Sequence, residues 1–84
     1  MIKSKYIILD DGIGTPIVFS PLVQHYKEAG GRPVVSAGFC DVHVKPDGDN
    51  QKIEWFVWGE SISLRKKSRP EDAELINKFL RYDC

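Results

Sequence analysis

Two runs rich in β-branched and aromatic residues, residues 33–44 (PVVSAGFCDVHV) and residues 52–58 (KIEWFVW), flank the turn-forming string PDGDN at residues 46–50. Strand formers on both sides of an Asp/Gly turn specify a β-hairpin, and a hairpin forces an antiparallel sheet. Gly38 interrupts the first run, where a side chain is missing for either a bulge or a close backbone approach.

The remaining elements fit around that hairpin. Residues 5–10 (KYIILD) read as a buried strand, the DDGIGT string at residues 10–15 as a turn, and residues 16–19 (PIVF) as a second strand with Pro16 at its first position. Ser20 followed by Pro21 reads as a helix N-cap and first helical residue. Leu22, Val23, Tyr26 and Ala29 would form its apolar face, with Gln24, Lys27 and Glu28 outside and Gly30-Gly31 as its stop. Gly59 and Glu60 end the return strand, and residues 61–64 (SISL) read as a short fifth strand. Ser68 and Glu71 have capping-box spacing for a last helix. Ala73, Leu75, Ile76, Phe79 and Leu80 form its apolar stripe, Glu71, Asp72 and Glu74 its acidic start, and Lys78 and Arg81 its basic end. The expected fold is α+β, in the order ββαβββα: an antiparallel sheet of four to five strands with two helices packed on one face.

Eighty-four residues make a single domain, residues 1–84, and 42% hydrophobic residues supply a core without staples. Twelve basic and twelve acidic residues balance. With no net charge there is no long-range field to attract nucleic acid or anionic lipid, and homodimerisation is favoured. Two cysteines, Cys40 and Cys84, make neither a disulfide framework nor a zinc site. The apolar start is too short for a signal segment, and no run has transmembrane length, so a cytoplasmic protein is expected.

Several side chains carry candidate chemistry. Cys40 with His43, His25 or Glu60 could make a small thiol enzyme. A separation of three along a strand puts Cys40 and His43 on opposite faces, so a buried structural thiol is the simpler reading. Asp10, Asp11, Asp47 and Asp49 could suggest a cation site, but the string from Asp47 has Lys52 where a calcium loop needs Gly, and Asp is what tight turns select. No metal, cofactor or catalytic residue is assigned. Arg65, Lys66, Lys67 and Arg69 precede a helix start and form a candidate anion or nucleic-acid contact, opposed by Glu71 and Asp72 at the same terminus. Period-two alternation puts Glu54, Phe56 and Trp58 on one face of their strand and Ile53, Trp55 and Val57 on the other. With helices on one side only, Glu54, Phe56 and Trp58 become a candidate protein-binding surface.

The strings PVVSAGFC (residues 33–40), WGESISL (residues 58–64) and KSRPEDAELI (residues 67–76) resemble a group of small uncharacterised proteins encoded by bacteriophages and prophages of Gram-negative bacteria. The resemblance spans roughly residues 5–9 and 33–81 and carries no assigned chemistry. It implies a non-enzymatic phage-type accessory protein in the bacterial cytoplasm, binding a host protein and inhibiting a defence or metabolic factor.

Overall fold

The computed structural model describes residues 3–80. Arg81 and Cys84, which figure in the sequence reading, lie outside the described residues. The chain forms β1 (Ser4–Leu9), β2 (Pro16–Phe19), α1 (His25–Ala29), β3 (Val34–Asp47), β4 (Asn50–Trp58), β5 (Glu60–Ser61), β6 (Lys66–Lys67) and α2 (Pro70–Phe79). The main sheet is antiparallel throughout, in the order β2-β1-β3-β4, and β5-β6 form a separate two-stranded ribbon. The α+β class and the antiparallel sheet expected from the hairpin are therefore present.

Three consecutive residues at the centre of β1 explain how the layers assemble. Tyr6, Ile7 and Ile8 are all fully buried. Successive side chains of a strand point to opposite faces, so this run requires both faces of the sheet to be covered. Tyr6 and Ile8 join Cys40 and Ile76 of α2, with Val18, Trp55, Val57 and Leu75 packed around them. Ile7 joins Ala29 of α1 with Val34 and Ala37, against Leu9, Ile17, Phe19 and Leu64. The two helices thus lie on opposite faces, correcting the expectation that both pack on one.

The strand at residues 33–44 extends further than expected. β3 has fourteen residues, of which residues 34–40 pair with β1 and residues 39–47 pair with β4. Its distal half is therefore a two-stranded arm. A register shift between Ile8 and Leu9 leaves Val35 unpaired, so the bulge falls there. Gly38 serves the other purpose foreseen for it. A Cβ at this position would sit 2.6 Å from the carbonyl oxygen of Trp58 and 3.1 Å from Cβ of Ser68.

Three local expectations are corrected. Ser20 does not cap α1: its hydroxyl accepts the N–H of Leu22 and its carbonyl the N–H of Val23, closing a turn instead. Helix begins only at His25, so Leu22 is 93% exposed, Tyr26 is exposed, and the buried residues are His25 and Ala29. Lys5 Nζ donates to the Val23 carbonyl and holds this turn to the sheet. The capping interaction of α2 is displaced by one residue, from Ser68 and Glu71 to Arg69 and Asp72, with Pro70 at the first helical position. Residues 61–64 are not a strand. Only Glu60–Ser61 is extended, and the chain turns through residues 62–65, with Arg65 at φ 55°, before returning as Lys66–Lys67.

Candidate interaction face

The unbroken register of β3 and β4 sorts their side chains. Phe39, Asp41, His43 and Lys45 of β3 share the α1 face with Lys52, Glu54, Phe56 and Trp58 of β4. Near the centre of the sheet this face carries an aromatic row. Phe19 meets His25 edge-on at 5.6 Å between centroids, His25 meets Phe39 at 5.9 Å, and Phe39 stacks on Trp58 at 6.3 Å. His43 contacts Phe56 at 4.5 Å. Gly59, at φ 74°, turns the chain away beside the ring of Phe39, which lies 2.9 Å from where a Cβ would be.

Past α1 and the β5-β6 ribbon the row emerges into solvent. Phe56 is 41% exposed and Trp58 40%. Polar groups surround them. Glu54 is bracketed by Lys45 at 3.1 Å and Lys52 at 3.9 Å, and Asp41 lies 3.9 Å from His43. The half-exposed aromatic pair is therefore bordered by polar and charged side chains. Glu54, Phe56 and Trp58 share one face of β4, as the alternation predicts.

The opposite face of the arm carries a feature that the sequence reading did not single out. Val42, Val44, Ile53 and Trp55 meet Asn77 and Leu80 of α2's C-terminal end in an apolar groove of about 570 Å³. The available signal was the alternation of Val42 with Val44 and Ile53 with Trp55. Its significance depended on where α2 ends.

The other candidates take up structural roles. Cys40 is fully buried beside Tyr6, Ile8 and Ile76, and burial, reinforced by Asp41, pushes its thiol up to about 12. His43 and His25 both lie across the sheet from it. His25 is buried, and its Nε2 stands 2.8 Å from the Gly38 carbonyl oxygen. A carbonyl can only accept, so Nε2 carries the proton and ties α1 to β3. Burial lowers the pKa of this imidazole below its usual value. Asp11 Oδ1 accepts the N–H groups of Ile13, Gly14 and Thr15, and Oδ2 accepts the Thr15 hydroxyl. These bonds, the Thr15 hydroxyl first, hold its carboxyl down at about 2. Asp47 and Asn50 flank the two-residue hairpin turn.

The basic loop is divided. Arg65, Lys66 and Lys67 are exposed, but Arg69 is committed. Its Nε and Nη2 donate to Oδ1 of the fully buried Asp72 at 3.0 and 2.9 Å. Oδ2 of Asp72 accepts the Arg69 backbone N–H at 2.9 Å and the Tyr6 hydroxyl at 2.6 Å. Tyr6 is pushed up out of the titratable range, first by burial and then by this bond. Four donors satisfy one buried carboxylate and lock the start of α2 to the central strand. Arg69 therefore cannot serve the anion contact proposed for it.

Among the described residues, no helix is long and apolar enough to cross a membrane. Comparison with protein-family models, curated proteins and solved structures finds no match.

Proposed function

We propose that this chain is a non-enzymatic protein-binding module whose contact surface is the arm face centred on Phe56 and Trp58. The observation that carries this reading is the half-exposed aromatic pair within the Asp41/His43 and Lys45/Glu54/Lys52 rim. Exposed aromatics on a rigid strand lose little conformational entropy on docking and supply large contact area. The phage-type resemblance points to a host bacterial protein as the partner and to inhibition of a defence or metabolic factor as the outcome.

The test is affinity capture from bacterial lysate with the unaltered chain, Phe56→Ala, Trp58→Ala and Ile62→Ala. Ile62 is 85% exposed on the ribbon turn and serves as a control. The partner should be retained by Ile62→Ala and lost with either face variant. A hot-spot aromatic contributes about 2 kcal/mol or more, roughly a thirty-fold loss of affinity. Equal capture by all four chains, with the face variants folded, would refute the assignment.

A further inference from the structure

β4 is an outer strand of the main sheet, and its free edge is distinct from the arm face. Asp47 and Asn50 close a two-residue turn, which makes them a hydrogen-bonded pair. The register then continues without a break to Phe39 and Trp58. It follows that residues 50, 52, 54, 56 and 58 direct their backbone groups at β3, while Gln51, Ile53, Trp55 and Val57 direct theirs outward. Among the described residues, none of these outward N–H and C=O groups has a partner. The opposite edge of the sheet is blunted, because β2 has four residues and begins with proline. β4 has nine residues and no proline.

We propose that this edge pairs with β4 of a second copy, antiparallel and centred on Trp55. Directly opposed residues must share a face, so a twofold axis can fall only on a residue, and the side chains decide which one. Centring on Glu54 sets two carboxylates against each other, and centring on Ile53 opposes Lys52 to Glu54 but sets Val57 against the turn at Asp49. Centring on Phe56 opposes Glu54 to Trp58 and shortens the overlap. Centring on Trp55 opposes Ile53 to Val57 and brings the Lys52 ammonium to the Trp58 ring, a cation–π pairing. In this register the pairs from Ile53 to Val57 exchange about six backbone hydrogen bonds. The balance of twelve basic and twelve acidic residues places no net charge between the copies.

The product is one continuous eight-stranded sheet. Pairing by the edge leaves the groove face open and the arm face open except where Lys52 reaches the Trp58 ring. On one face it sets the Phe56 and Trp58 patches of the two copies side by side, and on the other it adjoins their apolar grooves.

Light scattering at micromolar concentration should give twice the 9.6 kDa chain mass. Ile53→Pro removes an outward donor while sparing every bond to β3, so it should give a monomer with an unchanged near-ultraviolet spectrum. A spin label at Asn50→Cys in a Cys84→Ser background reads the register even if that proline variant fails to fold. In the Trp55-centred dimer Asn50 lies opposite Glu60 of the second copy, and the two labelled backbones are about 33 Å apart. A Glu54-centred dimer would give about 27 Å by the same rise per residue. A monomer mass, a folded Ile53→Pro dimer, or a distance fitting another register each overturns the proposal. Phe56→Ala, which tests the arm face, should leave the dimer intact, so the two readings fail separately.

Discussion

Replacing Tyr6 by Phe removes one hydroxyl from the centre of the molecule, and its cost can be worked from the geometry. The hydroxyl donates at 2.6 Å to a carboxylate with no solvent access, and Tyr6 itself is fully buried. A hydrogen bond to a charged group contributes about 1.5–3 kcal/mol. Asp72 would keep the Arg69 backbone and guanidinium donors, so the ion stays paired and the loss should not exceed that range. Asp72→Ala is worse. It strands the Tyr6 hydroxyl and the Arg69 N–H and breaks a buried ion pair, about 3–5 kcal/mol. A domain of this length has roughly 4–13 kcal/mol in all, so the second change approaches the whole of it. The double variant should cost about 1.5–3 kcal/mol less than the two single variants summed, because they share one bond. Urea denaturation gives the free energies. Calorimetry should show Tyr6→Phe melting about 8–16 °C lower for a 2 kcal/mol loss. A Tyr6→Phe cost below about 0.5 kcal/mol, or additivity in the cycle, would refute the assignment of this bond as what anchors α2.

Gly38→Ala should destabilise by about 3 kcal/mol, the upper end for overpacking, because the methyl meets the Trp58 backbone carbonyl rather than a mobile side chain; urea midpoints check this. For His25 the sign follows from burial. The folded imidazole stays neutral while the unfolded one binds a proton near its usual 6.5, so stability should fall as pH drops below about 6.5 until the lowered folded value is reached. Melting temperature against pH should show this slope, and His25→Gln should flatten it. Cys40, held at about 12 by burial, should resist iodoacetamide in the folded Cys84→Ser chain and react on unfolding in urea; rapid native labelling, followed by mass spectrometry, would contradict its placement.

Much of the fold was readable because local chemistry and tertiary structure agree. The turn at residues 46–50 dictated the hairpin, Pro16 marked an edge, and Gly30 ends α1 in the left-handed region at φ 58°. Where reading failed, a local signal competed with a distant one. Ser20 and Pro21 have helix-start chemistry, yet the helix begins where His25 can reach the Gly38 carbonyl, thirteen residues away. Ser68 and Glu71 have capping-box spacing, but Asp72 takes that role because Tyr6, sixty-six residues earlier, supplies a further donor. The opposed helices also have a local signal: the consecutive apolar residues Tyr6, Ile7 and Ile8 cannot all be buried by a one-sided cover. The face of Glu54, Phe56 and Trp58 was legible from parity alone. The groove was not, since it needs the end of α2 beside the arm.

The arm also determines how a chain of this kind can change its reach. Strand geometry repeats every two residues, and the turn between Asp47 and Asn50 touches nothing in the core. Adding two residues to each strand at that turn would lengthen the arm by about 7 Å and repeat the same alternation, aromatic rim on one side and groove on the other. Adding one to each would set the two-residue turn on a non-hydrogen-bonded pair, which such a turn does not close. Length at this tip can therefore vary in even steps while Tyr6, Asp72 and Gly38 stay fixed, so new contacts can be tried at the end of the lever without disturbing its pivot.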